Sequence, residues 1–178
     1  MDEGVDVVIF EGTAAASPVE EMIIRVRQAL LYDNLEKLSR IGPVRQIFLI
    51  TNNPALTGMA RATGTEFILN RQHPDSFHFG HELKRLVLAQ DLKKVFYLSG
   101  AGCPLITTVE LEEICGKLAG SSSLLYANNI QSADIIAFTV PDSFADTDLP
   151  DMDNSLAMFL QAEDGIRDWS VTGVQTCA

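Results

Sequence analysis

Short apolar runs alternate with helical patterns along most of this chain, and no other feature limits its fold more. Six runs rich in Val, Ile, Leu and Phe are typical of buried strands, and most segments between them carry helical spacing. Such alternation favours right-handed crossovers and a mostly parallel sheet. The sequence therefore predicts an α/β fold with a mostly parallel sheet between helices. The predicted strands are 5–10, 46–50, 66–69, 94–98, 123–126 and 134–140.

The first predicted helix runs from residue 18 to about residue 41 and has both a start signal and an apolar stripe. Ser17 precedes Pro18, a pair that is typical of an N-cap and a first helical position. Apolar residues then recur at three- and four-residue steps, which predicts one face buried against the rest of the fold. The residues of that face are Val19, Met22, Ile23, Val26 and Leu30.

Further helices are predicted at 54–64, 79–90, 107–120 and 154–160. Thr107 opens the third of these, because Glu110 follows it at the spacing of a capping box. The apolar positions of the same helix fall on one side of it and predict a second buried face. They are Leu111, Ile114, Cys115 and Leu118.

Glycine or polar residues follow nearly every predicted strand. Because the carboxyl ends of parallel strands meet at one edge of a sheet, we expect these residues to line a ligand-binding edge. The strongest signal is 95–107, VFYLSGAGCPLIT, where glycines would let backbone N–H groups approach a ligand. The alternative is a tight strand-to-helix turn without a ligand. The candidate binding residues are Gly12, Thr13, Ser99, Gly100, Gly102, Asn128 and Asn129.

Charge and motif content exclude several classes of protein. The formal net charge is −11, and without clustered Lys and Arg the chain is a poor binder of nucleic acid or of anionic membranes. No apolar run approaches the roughly 20 residues of a membrane span, and no signal peptide is recognised at the start of the chain. The three cysteines form neither a metal-ligand spacing nor an even set for disulfides, so we expect a reducing, cytoplasmic environment. Neither G-x-G-x-x-G nor G-x-x-x-x-G-K-[ST] occurs, which excludes the common dinucleotide and P-loop patterns.

Three further groups of residues could take part in catalysis or metal binding, and each also has a purely structural interpretation. His73, His78 and His81 lie close together and could bind a metal, or they belong to a polar helix start capped by Asp75 or Ser76. A third possibility is that they line the ligand-binding edge, because they follow the third predicted strand. Cys103, at a predicted helix start, is a candidate nucleophile or a small packed side chain. Asp134 could bind Mg²⁺ or a sugar hydroxyl, or it is a solvated residue at a strand start.

The stretch 101–107, AGCPLIT, resembles the G-D-x-P-L-[IL]-[ST] motif of the MobA-like nucleotidyltransferases, whose fold resembles the GT-A nucleotide-diphospho-sugar transferases. Residues 104–107 match that motif, and the pattern of 127–129 and 132–134 is also similar. The resemblance covers most of residues 5–160. It implies a Rossmann-like three-layer architecture and a nucleotide or sugar phosphate as ligand.

The same family differs from this chain where its phosphates and metal are held. Its first loop is typically L-A-G-G-x-x-x-R-M-G, followed by a Lys, whereas residues 10–13 read FEGT and no Arg or Lys precedes Arg25. Gly102 stands where the family has a metal-holding Asp. Nucleotidyl transfer depends on cations that neutralise the developing charge. The resemblance therefore supports the fold more than the activity.

The last segment, 161–178, reads QAEDGIRDWSVTGVQTCA, and back-translation of its two ends fits the flanks of a common sequencing adapter. We exclude it from the fold argument and expect that the natural frame continued past Leu160. We then expect residues 1–160 to be one nucleotidyltransferase-like domain that is truncated at its C-terminus.

Three hypotheses for function remain open on the sequence. The first is an NTP- or nucleotide-sugar-binding domain that transfers a nucleotidyl group to a phosphorylated acceptor, with Mg²⁺ on Asp134 or a late acidic residue. The second is a catalytically silent binding or regulatory module with the same fold. The third is a metal-dependent hydrolase that uses the three histidines. The oligomeric state does not follow from the sequence.

Overall fold

The computed structural model describes residues 4–12, 15–72 and 76–164. It contains the strands and helices that the alternating pattern predicts. In chain order they are β1 (Val5–Glu11), α1 (Pro18–Leu38), β2 (Val44–Thr51), α2 (Thr57–Ala62), β3 (Glu66–Leu69), α3 (Phe79–Ala89), β4 (Lys94–Ser99), α4 (Thr108–Gly120), β5 (Leu125–Ala127), β6 (Ile135–Thr139) and α5 (Leu156–Asp164).

The strands form one sheet in the order β3-β2-β1-β4-β6-β5. Strands β1, β2, β3 and β4 are parallel, whereas β6 is antiparallel to both β4 and β5, so β5 has the direction of β4. The predicted mostly parallel sheet is therefore confirmed. The order reverses between β1 and β4, since the chain leaves β1 toward β2 on one side and later returns to β4 on the other.

Two apolar layers cover the two faces of the sheet. One layer packs α1, α2 and α4 against residues such as Ile9 and Leu98, and the other packs α3 and α5 against residues such as Val8 and Tyr97. The alternation of neighbouring β1 residues between the layers follows from the two-residue period of a strand. The result is the predicted three-layer α/β architecture.

Two helices begin at the N-cap residues that the sequence predicted, both of which have short hydroxyl side chains. The Ser17 hydroxyl accepts from the backbone N–H of Glu20, and Thr107 forms the predicted capping box with Glu110. The backbone N–H of Thr107 donates to Glu110, which lowers the pKa of that carboxyl. The predicted cap of α3 was wrong: that helix begins after His78, whose Nδ1 accepts from the backbone N–H of His81.

The predicted buried face of α1 is wrong in its first half. Val19, Met22, Ile23 and Val26 are all at least half exposed, and the buried face lies further along the helix. Arg27 already contacts the last residue of β1, so the preceding helical turns have no strand beneath them. Spacing alone predicted an apolar stripe correctly but could not show what covers it. The buried residues are Leu31, Asn34, Leu35 and Leu38.

Helix α5 begins after a 3-10 turn, Asp153–Ser155, and includes residues 161–164 of the adapter-like segment. Residues 165–178 lie outside the described part of the chain, so the origin of that segment and the truncation stay predictions. None of the helices in the described part is both long and apolar enough to cross a membrane.

Candidate functional site

Polar residues at the ends of β4 and β5 and before the start of β6 lie together at one edge of the sheet. Ser99 ends β4, Asn128 follows β5, and Asp134 directly precedes the antiparallel β6. The backbone N–H of Ser99 donates to the carbonyl of Asp134 at 3.1 Å, and the backbone N–H of Asp134 donates to Asn128 Oδ1 at 3.0 Å. Three candidate residues from distant parts of the sequence are thus joined beside β4, one of the two strands between which the strand order reverses.

The glycine turn after β4 is filled by the protein itself. A Cβ on residue 100 would lie 2.2 Å from Oε2 of Glu11, and one on residue 102 would lie 3.2 Å from Cβ of Asp134. Among the described glycines only Gly64 has a positive φ, so the turn does not need glycine for its backbone conformation. Gly100 and Gly102 provide space here, and in this structure Glu11 and Asp134 use it.

Glu11 is held by Arg27, which the sequence did not indicate as a site residue. Arg27 Nε donates to Oε1 of Glu11 at 2.9 Å, and Nη2 donates to Oε2 at 2.8 Å. The Glu11 side chain is 0% exposed and that of Arg27 is 39% exposed. Hydrogen bonding to Glu11 raises the pKa of Arg27, because it favours the charged guanidinium. A cation therefore does stand at this edge, although it comes from α1 and not from the loop after β1.

Asn34 of α1 contacts the backbone of the glycine turn after β4. It is fully buried, and its Nδ2 lies 3.4 Å from the carbonyl oxygen of Gly100 and 3.2 Å from that of Gly102. Its Oδ1 is buried without a hydrogen-bond partner among the described residues. A buried amide that satisfies two turn carbonyls holds the turn in one conformation.

The hydroxyl of Tyr97, near the end of β4, is hydrogen-bonded to a carboxylate. The hydroxyl donates to Oδ2 of Asp153 at 2.6 Å. Burial raises the pKa of Tyr97 well above its ordinary value, and the nearby charges of Asp153, Asp134 and Glu11 raise it further. The edge is consequently acidic, with Arg27 as the cation that these contacts place in it.

The remaining candidate residues are less closely joined. Gly12 follows Glu11 and is exposed with open space around it, whereas Thr13 lies outside the described residues. Asn129 Oδ1 accepts from the backbone N–H of Gln131 at 3.0 Å, so its side chain closes its own loop. Asn128 also holds its loop through Asp134, which leaves less of either amide for a ligand.

Cys103 has the surroundings of a packed side chain. It is partly buried against the layer of α1 and α4, and Asn128 Nδ2 lies 3.8 Å from its Sγ. Its φ of 46° lies in the left-handed region, which non-glycine residues rarely adopt. These contacts agree with the interpretation as a small packed residue.

The histidines form a pair and not a metal centre in the described chain. The rings of His78 and His81 stack with centroids 3.7 Å apart, and His78 caps α3. His73 lies outside the described residues. Within the described residues, no group of three or more His, Cys, Asp or Glu side chains could hold a metal ion. The hydrolase hypothesis gains no support from this geometry.

Solved structures of nucleotidyltransferases share this fold. A nucleotidyl transferase from Methanothermobacter thermautotroptrophicus superposes with a TM-score of 0.58 at 14% identity, covering 92% of this chain and 84% of that one. The CMP:2-keto-3-deoxy-manno-octonic acid synthetase complexed with CTP gives 0.54 at 12% identity, with the same coverages of 92% and 84%.

A cytidylyltransferase from Leptospira borgpetersenii gives a TM-score of 0.55 at 15% identity over 76% of this chain. The chain spans only 60% of the length of that cytidylyltransferase. Neither the sequence model of a protein family nor a curated protein sequence matches the chain. At such low identities the likeness shows the fold alone, and that fold is the one used by nucleotidyltransferases.

Proposed function

We propose that this chain binds a nucleotide or a nucleotide sugar across the carboxyl edge of β1 and β4 and transfers a nucleotidyl group to a phosphorylated acceptor. One observation carries the proposal. In a fold shared with nucleotidyltransferases, the polar ends of β1 and β4 meet where the strand order reverses, which is where open α/β sheets bind ligands. The loop after β5 is linked to the end of β4 through Asp134. The CTP in one of the similar structures supports a nucleotide as the ligand class.

The proposed roles follow from position. The turn after β4 and the residues after β1 face the phosphates, and the loop after β5 faces the base or the sugar. Arg27 is the cation available for phosphate charge. The resemblance to MobA-like enzymes supports a phosphorylated acceptor. The proposed binding residues are Gly12, Thr13, Ser99, Gly100, Gly102, Asn128 and Asn129.

Mg²⁺ is part of the proposal, and Asp134 fits it chemically. Asp134 is exposed at the edge and offers carboxylate oxygens, which Mg²⁺ prefers. Asp153 is a second carboxylate near the same tyrosine hydroxyl. Because the described residues supply no group of three metal-binding side chains, the ion would share its ligands with phosphates and water, as is common for Mg²⁺. When bound, it would neutralise phosphate charge.

The proposed reaction has one bond made and one broken. An oxygen of the acceptor phosphate attacks the α-phosphorus of the NTP, and the bond to the β-phosphate oxygen breaks to release pyrophosphate. The chain contributes orientation, through the turn that Asn34 holds in place, and positive charge through Arg27.

A second candidate is a module that binds the ligand without turning it over. The observation that favours it is the Glu11 carboxylate, which fills the glycine turn and occupies the guanidinium of Arg27. Release of pyrophosphate from an NTP by the protein would exclude the silent module. Binding without release would favour it.

The test is isothermal titration of the chain with NTPs and nucleotide sugars in the presence of Mg²⁺. We expect binding of at least one member, and we expect Asp134→Asn to weaken it. Asp142→Asn is the matched control, because Asp142 is an exposed carboxylate that follows the far end of β6 at the opposite edge. If no member of the panel binds, or if both variants weaken binding equally, the proposed site is wrong.

A further inference from the structure

A carboxylate of the protein itself, that of Glu11, lies in the glycine turn of the candidate site. Both carboxylate oxygens of Glu11 accept hydrogen bonds from Arg27, at 2.9 and 2.8 Å. Oε2 also lies 2.2 Å from the position that a Cβ on residue 100 would take. The close approach that a glycine permits is therefore made by Glu11.

The partner of this carboxylate is also a good partner for phosphate. The planar fork of a guanidinium donates two parallel hydrogen bonds to a carboxylate or to a phosphate with the same geometry. The Arg27 side chain is 39% exposed, so a ligand at the edge can reach it. Its fork, however, already faces Glu11.

We infer that Arg27 is an anion-binding side chain whose occupant in this structure is Glu11, and that the diphosphate portion of a nucleotide displaces this carboxylate. This inference rests on the proposed function. Glu11 then acts as an internal competitor that weakens phosphate binding to the candidate site. The ion pair with Arg27 also explains how a carboxylate can end β1 at an edge that we propose binds anions.

The exchange has a physical route. Glu11 is the last residue of β1, and Gly12 after it is exposed with open space around it, so a displaced carboxylate regains water. A diphosphate carries more negative charge than a carboxylate and competes well for a guanidinium. Because Asp134 and Asp153 keep the edge acidic, the appropriate probe is pyrophosphate with Mg²⁺.

Strand β1 carries a matched pair at its other end. Arg45 Nε donates to Oδ1 of Asp6 at 2.9 Å, and Nη2 donates to Oδ2, which is the same two-bond geometry. The Asp6 side chain is buried and Arg45 is half exposed. This pair lies at the opposite edge of the sheet, away from the glycine turn. It provides a control for the simple release of an arginine.

The experiment measures pyrophosphate affinity by isothermal titration in Mg²⁺ for the wild type, Glu11→Gln, Asp6→Asn and the double variant Glu11→Gln/Arg27→Gln. We expect Glu11→Gln to bind at least about tenfold more tightly than the wild type, the factor that a charge-assisted hydrogen bond supplies. Asp6→Asn should bind as the wild type does. The double variant should lose the gain, and it avoids leaving an unpaired buried charge.

An equal affinity in Glu11→Gln and the wild type overturns the inference, and so does an equal gain in Asp6→Asn. If Glu11→Gln does not fold, the Arg27 side-chain Nε–H resonance of the wild type is followed during titration with magnesium pyrophosphate. A shift of that resonance supports displacement of Glu11, and an unchanged resonance at saturation overturns it.

The same titrations with CTP separate this inference from the proposed function. Nucleotide binding that is unaffected by Glu11→Gln refutes the internal competitor and leaves the proposed function standing. A gain in pyrophosphate affinity without binding of any nucleotide or nucleotide sugar supports the anion site and refutes the proposed function.

Discussion

Replacing Gly100 by alanine tests the packing of the glycine turn directly. The added Cβ would lie 2.2 Å from Oε2 of Glu11 and 3.1 Å from its Cβ and Cδ. The backbone at residue 100 is not in the left-handed region, so alanine meets no conformational strain there. Most of the cost must come from moving the carboxylate away from Arg27.

The structure sets the size of that cost. Breaking a buried ion pair typically costs about 3–5 kcal/mol. Here we expect about 3 kcal/mol for Gly100→Ala, at the lower end, because the Arg27 side chain is 39% exposed and keeps its own contact with water. Once Glu11 is replaced by alanine, only the 3.1 Å contact with the Cβ of residue 11 remains, and Gly100→Ala should cost no more than about 1 kcal/mol.

The assay is urea unfolding followed by circular dichroism on the four proteins of the double-mutant cycle. Gly116→Ala serves as the control, because a Cβ on that helical residue meets nothing within 4 Å. It should raise the free energy of unfolding by about 0.5–1 kcal/mol. A Gly100→Ala cost that is the same with and without Glu11 would refute the assigned packing of the turn.

Three further changes test other parts of the structure. Asp91→Gly should raise the free energy of unfolding by about 0.5–1 kcal/mol, since Asp91 follows α3 with a φ of 50°, and a loss of stability in thermal melts would contradict this. Ile23→Gln with Val26→Gln should change stability by less than about 0.5 kcal/mol, because both side chains are exposed. A large loss would show that the stripe is covered. The pKa of Tyr97 is raised in the folded protein, whereas in the unfolded chain it is about 10. The phenol therefore contributes its full stabilisation below the unfolded pKa and loses it as the pH rises through the folded pKa. Urea unfolding at about pH 9 and pH 11 should show a greater alkaline loss for the wild type than for Tyr97→Phe, and equal losses would contradict the buried phenol.

The fold was predictable because its signals are local. Each strand is a mostly apolar run that ends in a polar residue or, for β3 and β5, is followed by an asparagine, and α4 has a capping box followed by a clean apolar face. These patterns depend on neighbours within about one or two helical turns. The order of the strands, with β6 antiparallel, was not contained in them, since it depends on contacts between distant segments.

Only those residues of the candidate site whose positions follow from the strand ends were predictable from the sequence. Ser99 and Asn128 could be placed at one edge because parallel strands end together. Asp134 precedes the start of β6 and reaches the same edge only because β6 is antiparallel, which the sequence did not show. Arg27 could not, because its partner is sixteen residues earlier in the chain and the apolar stripe of α1 suggested a different buried face. Asp153 could be named only as one of several late acidic residues.

A glycine in a strand-to-helix turn indicates that another group packs closely against the backbone there, but it does not identify that group. Glu11 is one further sign in this chain, because it stands where a phosphate would approach in the similar family and because, once buried, a carboxylate requires a cation nearby. The helix that follows β1 is the nearest place to look for that cation, since it begins at the same edge. Arg27 meets this requirement, and it lies 2.8 Å from Glu11. The choice between an active transferase and a silent module therefore depends on whether a phosphate can replace Glu11 at Arg27.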